Sequence, residues 1–266
     1  MRHFTPRTFE SAALFALAFL VTTLAHEAAH AAVGTLLGRG PTMFTSSVVC
    51  ARDGSPEAQM WTALAGPFFS LVSGALLFFV ARIGALSPRT RLMTMWLAYH
   101  GLVNFVGYVF TSWFAPTADM GRATRIAGAT TPLLIALTVL GYAGIRFIAR
   151  PFGRGVAQLA SSPLLDDRAA RDWSKESMLY AGLLATPFLA LAALPVPHWL
   201  SLMYVLTCPL PLFDLPKSVA AHRAASRAAE GATPLGDARP KLAWVITLCA
   251  WIVARFVFDG GVRWAS

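Results

Sequence analysis

The chain has 266 residues, of which 56% are hydrophobic and only 13% charged, and its mean hydropathy is +0.57. Soluble domains carry about 25% charged residues, so this composition excludes a water-soluble globular protein and predicts a polytopic membrane protein. The formal charge of +9 is therefore interpreted through loop placement, and no nucleic-acid partner is expected. Cys50, Cys208 and Cys249 have no metal-binding spacing, so we expect neither a disulfide framework nor a cysteine metal site.

The first apolar segment, Ser11 to Leu37, is long enough to cross a bilayer, which takes about 20 residues. It contains the H-E-x-x-H pattern His26-Glu27-Ala28-Ala29-His30. Positions four apart share a helix face, so His26 and His30 could bind one metal ion, with Glu27 beside them to act on a water molecule. Because each ionisable side chain costs about 2.5–3.5 kcal/mol at the bilayer centre, three of them within a span indicate a functional site.

The rest of the chain alternates apolar segments with polar loops. Between Gly38 and Pro56, the Thr-, Val- and Ser-rich segment Met43 to Ala51 predicts a short strand or hairpin. His198 to Phe213 is short and contains two prolines, so it could span, re-enter or lie along the interface. The other spans are predicted at Ala58–Ile83, Leu92–Phe114, Thr131–Ile148, Ser177–Leu194 and Leu242–Val257. The fold class is therefore an all-α polytopic membrane protein with six or seven transmembrane helices.

Charge placement predicts how the chain sits in the membrane. Most of the 22 Lys and Arg residues fall in loops that are cytoplasmic if the N-terminus is inside, which predicts that orientation by the positive-inside rule. His26 lies about 21 Å along the helix from Ala12, which places the histidine pair toward the opposite face. We expect a multi-pass protein of the cell (inner) membrane.

A catalytic zinc takes three protein ligands and keeps one position open, so the helix leaves one ligand to be found. The candidates in or beside spans are His100, Asp119, His198, Asp214 and Asp259. Asp119 follows the third span at the end where the first span also ends, which favours it over Asp214 on the opposite side. The alternative for Asp119 is a solvated loop aspartate. His100 lies nearer the other end of its span and could be a second-shell side chain or a packed histidine.

Three motifs lie in order along the first half of the chain. They are His26-Glu27-Ala28-Ala29-His30, then Ala65-Gly66-Pro67 with Ser70 and Ser73, then Asn104 followed by Pro116-Thr117-Ala118-Asp119-Met120-Gly121. Together they resemble the three motifs of the site-2 protease family, the intramembrane zinc metalloproteases, over about Ser11 to Arg125. The third motif departs from that pattern in three respects: position 107 is glycine where the family has proline, Asn104 stands 15 residues before Asp119 where the family's motif is compact, and Met120 separates Asp119 from Gly121.

The resemblance implies a three-helix metalloprotease core over residues 1–130. The pattern of apolar and polar segments predicts additional transmembrane helices over residues 131–266, with two basic loops at 150–176 and 214–241. The resemblance also implies Zn²⁺ held by His26, His30 and Asp119, with Glu27 as the general base and Asn104 as a substrate-binding or second-shell residue. The substrate would be a transmembrane helix that unwinds locally, and Met43 to Ala51 could bind it as an added strand. The family usually places its metal toward the cytoplasm, opposite to the face that the charge count favours.

Two other functions fit the same residues. A polytopic transporter or metal-binding membrane protein could use the two histidines and the two carboxylates to bind a permeating ion. An inactive family member could serve as a binding scaffold. The sequence identifies no particular substrate, no trigger for cleavage and no oligomeric state.

Overall fold

The protein is described from a computed structural model over residues 4–83, 86–159, 167–192, 194, 199–225 and 238–264. Over these residues the chain is mostly helical, as the sequence predicts. The helices are α1 (Pro6–Leu36), α2 (Pro56–Ile83), α3 (Pro88–Thr111), α4 (Asp119–Ile126), α5 (Thr131–Phe147), α6 (Gly153–Leu159), α7 (Asp167–Ser174), α8 (Tyr180–Ala192), α9 (Trp199–Thr207), α10 (Leu215–Ala225) and α11 (Pro240–Phe258). The strands are β1 (Pro41–Phe44), β2 (Ser47–Cys50) and β3 (Val262–Arg263).

Four described helical segments are long and apolar enough to cross a membrane, namely Pro6–Leu36, Pro56–Ile83, Thr131–Ala157 and Pro240–Phe258. The predicted third span forms α3, whose apolar character is reduced by arginines at its start and by His100 and Asn104. The nine residues of α9 make about 14 Å of helix, less than a bilayer core requires. Residues 195–198, which include the ligand candidate His198 at the start of the short segment His198–Phe213, lie outside the described residues. Parts of both basic loops, 160–166 and 226–237, do so as well.

Helix α1 is bounded by sequence signals at both ends. The Thr5 side chain accepts from the Thr8 backbone N–H at 3.3 Å, and proline at the first helical position suits the helix start. At the other end Gly38 has φ +67°, a left-handed conformation that favours glycine and stops the helix. At 31 residues, α1 is about 46 Å long and exceeds the thickness of a bilayer core.

Helices α1, α2 and α3 pack against one another, and α8 and α11 from the second half of the chain also pack on α1. At the α2–α3 crossing, a Cβ on Gly74 would lie 2.9 Å from the Leu102 backbone nitrogen, so only glycine allows this approach. Between α1 and α3, the Trp96 indole N–H donates to Ser11 Oγ at 3.1 Å, and the Phe15 ring packs edge-on against Trp96. Helices α8 and α11 therefore cover part of α1, while α5 packs on α3.

A small sheet follows α1 directly. Strands β1 and β2 form an antiparallel hairpin, with Pro41 opposite Cys50 and Phe44 opposite Ser47, which confirms the predicted strand or hairpin with slightly different bounds. Strand β3 pairs with the other edge of β1, so the strand order is β2-β1-β3. The Thr45 hydroxyl donates to Asp259 Oδ1 at 2.8 Å and further ties the hairpin to the end of α11. The outer edge of β2 has no strand partner among the described residues.

Candidate metal centre

The two histidines of α1 point their Nε2 atoms toward each other. His26 and His30 lie one helical turn apart, are 2% and 5% exposed, and have their Nε2 atoms 3.0 Å apart. Helix α2 holds both rings by their other nitrogen: His26 Nδ1 lies 3.0 Å from Ser70 Oγ, and His30 Nδ1 lies 2.6 Å from the Thr62 carbonyl oxygen. A carbonyl only accepts, so a neutral His30 has its proton on Nδ1 and a lone pair on Nε2.

Asp119, at the first position of α4, completes a group of three ligand atoms. Its Oδ2 lies 3.2 Å from the Nε2 atoms of both His26 and His30. Zinc bonds of about 2.0–2.1 Å in a tetrahedron place neighbouring ligand atoms about 3.3 Å apart, which these separations match closely. A positive charge is needed among these three atoms to offset the carboxylate, either a proton on an imidazole in the metal-free centre or a metal cation in its place. The donor set therefore fits a zinc ion.

The charge state of Asp119 suits a metal ligand. Burial alone would raise the pKa of this carboxyl, but the charge of His30 and hydrogen bonds from both imidazoles hold that pKa well below its usual range. The group is therefore an ionised carboxylate at neutral pH. The Asp119 side chain is 27% exposed, against 2% and 6% for those of His26 and His30. The centre is thus most accessible from the side where Asp119 lies.

Gly66 of α2 explains how α2 can lie so close to both imidazoles. A Cβ at this position would lie 2.3 Å from His30 Nε2 and 2.5 Å from His26 Nε2, so any side chain here would occupy the space between the ligands. The next residue, Pro67, lies inside the helix and lacks the N–H that would bond to the carbonyl one turn earlier. The carbonyl that loses its helical partner is that of Ala63, next to the Thr62 carbonyl that accepts from His30.

Glu27 and Asn104 lie beside the three ligand atoms. Glu27 is 7% exposed and interacts electrostatically with His30 and Asp119. Asn104 of α3 has its Nδ2 atom 3.5 Å from His26 Nδ1, at the edge of hydrogen-bonding distance. Together they place a carboxylate and an amide next to the donor set.

His100 lies elsewhere. Its ring is fully buried, packs edge-on against Phe15 at 4.3 Å between centroids, and has Nδ1 3.4 Å from the Tyr204 hydroxyl. Among the described contacts, none joins it to His26, His30 or Asp119. The structure therefore places His100 in the aromatic core between helices, which corresponds to the packed-histidine alternative.

Tyr108 is a neighbour of the centre that the sequence analysis missed. Its ring stacks on His26, with centroids 5.2 Å apart and planes 8° from parallel. It lies four residues after Asn104 on α3 and so shares its face. That spacing was the available signal, since a residue one turn from a motif asparagine faces the same neighbours.

The comparisons with protein-family models, with curated proteins and with solved structures find no match to this chain. The function must therefore be argued from the geometry of the centre.

Proposed function

We propose that this chain is an intramembrane zinc metalloprotease, a divergent relative of the site-2 protease family. It would hydrolyse a peptide bond within or near a transmembrane segment of a membrane-protein substrate, as a multi-pass protein of the cell (inner) membrane with six or seven spans. One observation carries the proposal: His26 and His30 Nε2 and Asp119 Oδ2 converge to 3.0–3.2 Å beside a buried Glu27. This set joins a metal site to a general base within an apolar helix.

When bound by His26, His30 and Asp119, zinc would supply a Lewis acid that polarises the scissile carbonyl and makes water nucleophilic near neutral pH. Glu27 accepts a proton from the attacking water and passes it to the leaving amine as the C–N bond breaks. The Thr62 carbonyl and the Ser70 hydroxyl hold the two imidazoles so that their Nε2 lone pairs stay directed at one point. Peptide and water approach from the side of Asp119, which is the most exposed of the ligands.

The hairpin offers a place for the unwound stretch of a substrate. Strand β1 is paired on both sides, whereas β2 pairs on one side only within the described part of the chain, and Val49 of β2 is 59% exposed. An extended peptide could add to β2 through backbone hydrogen bonds, next to the end of α1 that follows His30. Deleting residues 43–51 should then abolish binding of a single-span test peptide. Unchanged cleavage in that deletion variant would exclude a role for the hairpin.

The decisive experiment compares wild type with Glu27→Gln, using zinc content and cleavage of a labelled single-span test peptide. The substitution removes the general base but none of the three ligands, so we expect bound zinc to persist and cleavage to fall by at least about 100-fold. A transporter would instead cleave nothing in either form, and Glu27→Gln would change zinc flux into proteoliposomes. That result would replace the protease with the alternative function.

A further inference from the structure

Tyr108 of α3 lies beside the metal centre, against a ligand residue. Its ring lies parallel to the His26 imidazole at 5.2 Å between centroids, so its position is fixed by a ligand residue. Its hydroxyl interacts with the Asp119 carboxylate, and the phenol also interacts electrostatically with Glu27. One side chain of α3 thus adjoins two of the three ligand residues and the proposed base.

The hydroxyl lies on the accessible side of the centre. Asp119, which it faces, is the ligand residue with the greatest exposure, at 27% of its side chain. Zinc held by His26, His30 and Asp119 would keep one position open for water or substrate. Helix α2 covers the two imidazoles, so the approach to that position is freer beside Asp119. An O–H donor beside Asp119 therefore borders the space in which a scissile carbonyl would approach.

We propose that Tyr108 is a further catalytic residue, whose hydroxyl donates a hydrogen bond to the scissile carbonyl oxygen as negative charge develops on it. This inference rests on the proposed protease function. Before substrate binds, the same hydroxyl faces Asp119, and it then exchanges the carboxylate for the carbonyl oxygen by a small rotation of its O–H bond. No proton is transferred and no covalent bond to Tyr108 forms, because the group acts only as a donor.

Two features make the phenol suited to this task. The stack on His26 holds the ring in place, so little reorganisation is needed when charge develops. The neighbouring Asp119 side chain is only 27% exposed, and a hydrogen bond to an anionic oxygen is stronger in such a partly buried site than in bulk water. Removing one such donor typically lowers kcat by about 100- to 1,000-fold. The effect of losing only the hydroxyl should fall in this range.

The test compares Tyr108→Phe with wild type in the zinc-loaded full chain, with Tyr142→Phe as a matched control. Tyr142 is 60% exposed on α5 and packs on Phe110, away from the centre. We expect Tyr108→Phe to keep its zinc and a KM within about twofold of wild type, while kcat on the single-span test peptide falls about 100-fold or more. A phosphinic peptide, which mimics the tetrahedral intermediate, should bind more weakly by a similar factor. Tyr142→Phe should match wild type in every readout.

Each other outcome overturns the inference. Wild-type kcat and wild-type affinity for the phosphinic peptide in Tyr108→Phe would mean that the hydroxyl takes no part in the reaction. Loss of zinc in Tyr108→Phe would make the tyrosine a positioning residue that holds Asp119. A wild-type protein that neither cleaves the test peptide nor binds the phosphinic peptide would overturn the protease function itself, and the inference with it.

Discussion

His26, His30 and His100 are all buried among the same helices, but His100 differs from the other two in what surrounds its ring nitrogens. His26 and His30 have an oxygen of α2 at each Nδ1, and their Nε2 atoms converge with a carboxylate from α4. His100 is equally buried, but its neighbours are aromatic rings and the Tyr204 hydroxyl. Burial in an apolar segment is therefore insufficient to make a histidine a metal ligand. What distinguishes His26 and His30 is that a second helix contacts each Nδ1 atom and so orients both rings with their Nε2 atoms toward one point.

The two environments also differ in the space beside the imidazole rings. The His26 and His30 rings meet α2 at a glycine, whereas His100 meets the faces and edges of Phe15, Phe19 and Tyr99. At His26 and His30 the missing side chain of Gly66 leaves space beside the Nε2 atoms, and a Cβ there would fill it. The following substitutions separate the two environments, from the strongest expected effect to the weakest.

Gly66→Ala should have the largest effect. The new methyl would lie 2.3 Å from His30 Nε2, so it would displace the ligand atoms and remove stoichiometric zinc from the purified protein, measured by elemental analysis. Gly74→Ala is the matched control on the same helix, because its methyl would meet the Leu102 backbone and no metal ligand. The control should lose stability but keep its zinc. Full zinc content in Gly66→Ala would show that the ion is not bound beside this glycine.

Ser70→Ala should have an intermediate effect. Loss of the hydroxyl at His26 Nδ1 frees the ring to rotate, and such outer contacts are typically worth about 10- to 100-fold in metal affinity. The affinity can be measured by competition with a chelator. In Ser73→Ala the lost hydroxyl bonds only to its own helix, at Phe69 O, so zinc affinity should be unchanged. Equal affinities in the two variants would contradict the orienting role of Ser70.

His100→Phe should have the smallest effect on the metal centre. The new ring can occupy the same aromatic environment, and zinc content should equal that of wild type. The lost contact with the Tyr204 hydroxyl should lower the free energy of unfolding by about 0.5–1.5 kcal/mol, measured as a fall in Tm. If zinc were lost instead, His100 would have to belong to the centre after all.

Much of this arrangement could be predicted from the sequence, since helix periodicity and span topology are local or additive. The spacing of His26 and His30 predicts a shared face, and alternating spans predict that Asp119 emerges at the same end of the bundle. The hairpin followed from its β-branched residues, but its third strand did not, because Val262–Arg263 is too short to give a periodic signal. The stack of Tyr108 on His26 and the steric demand at Gly66 depend on helix separations that no periodicity encodes.

The central claim is that two imidazoles and the Asp119 carboxylate bind one zinc ion. The most direct test is the zinc content per molecule of wild type, Asp119→Ala and the control Asp259→Ala, whose carboxylate instead bonds Thr45 in the hairpin. We predict about one zinc in wild type and in Asp259→Ala, and far less in Asp119→Ala. Absence of zinc from wild type, or full retention in Asp119→Ala, would contradict the account.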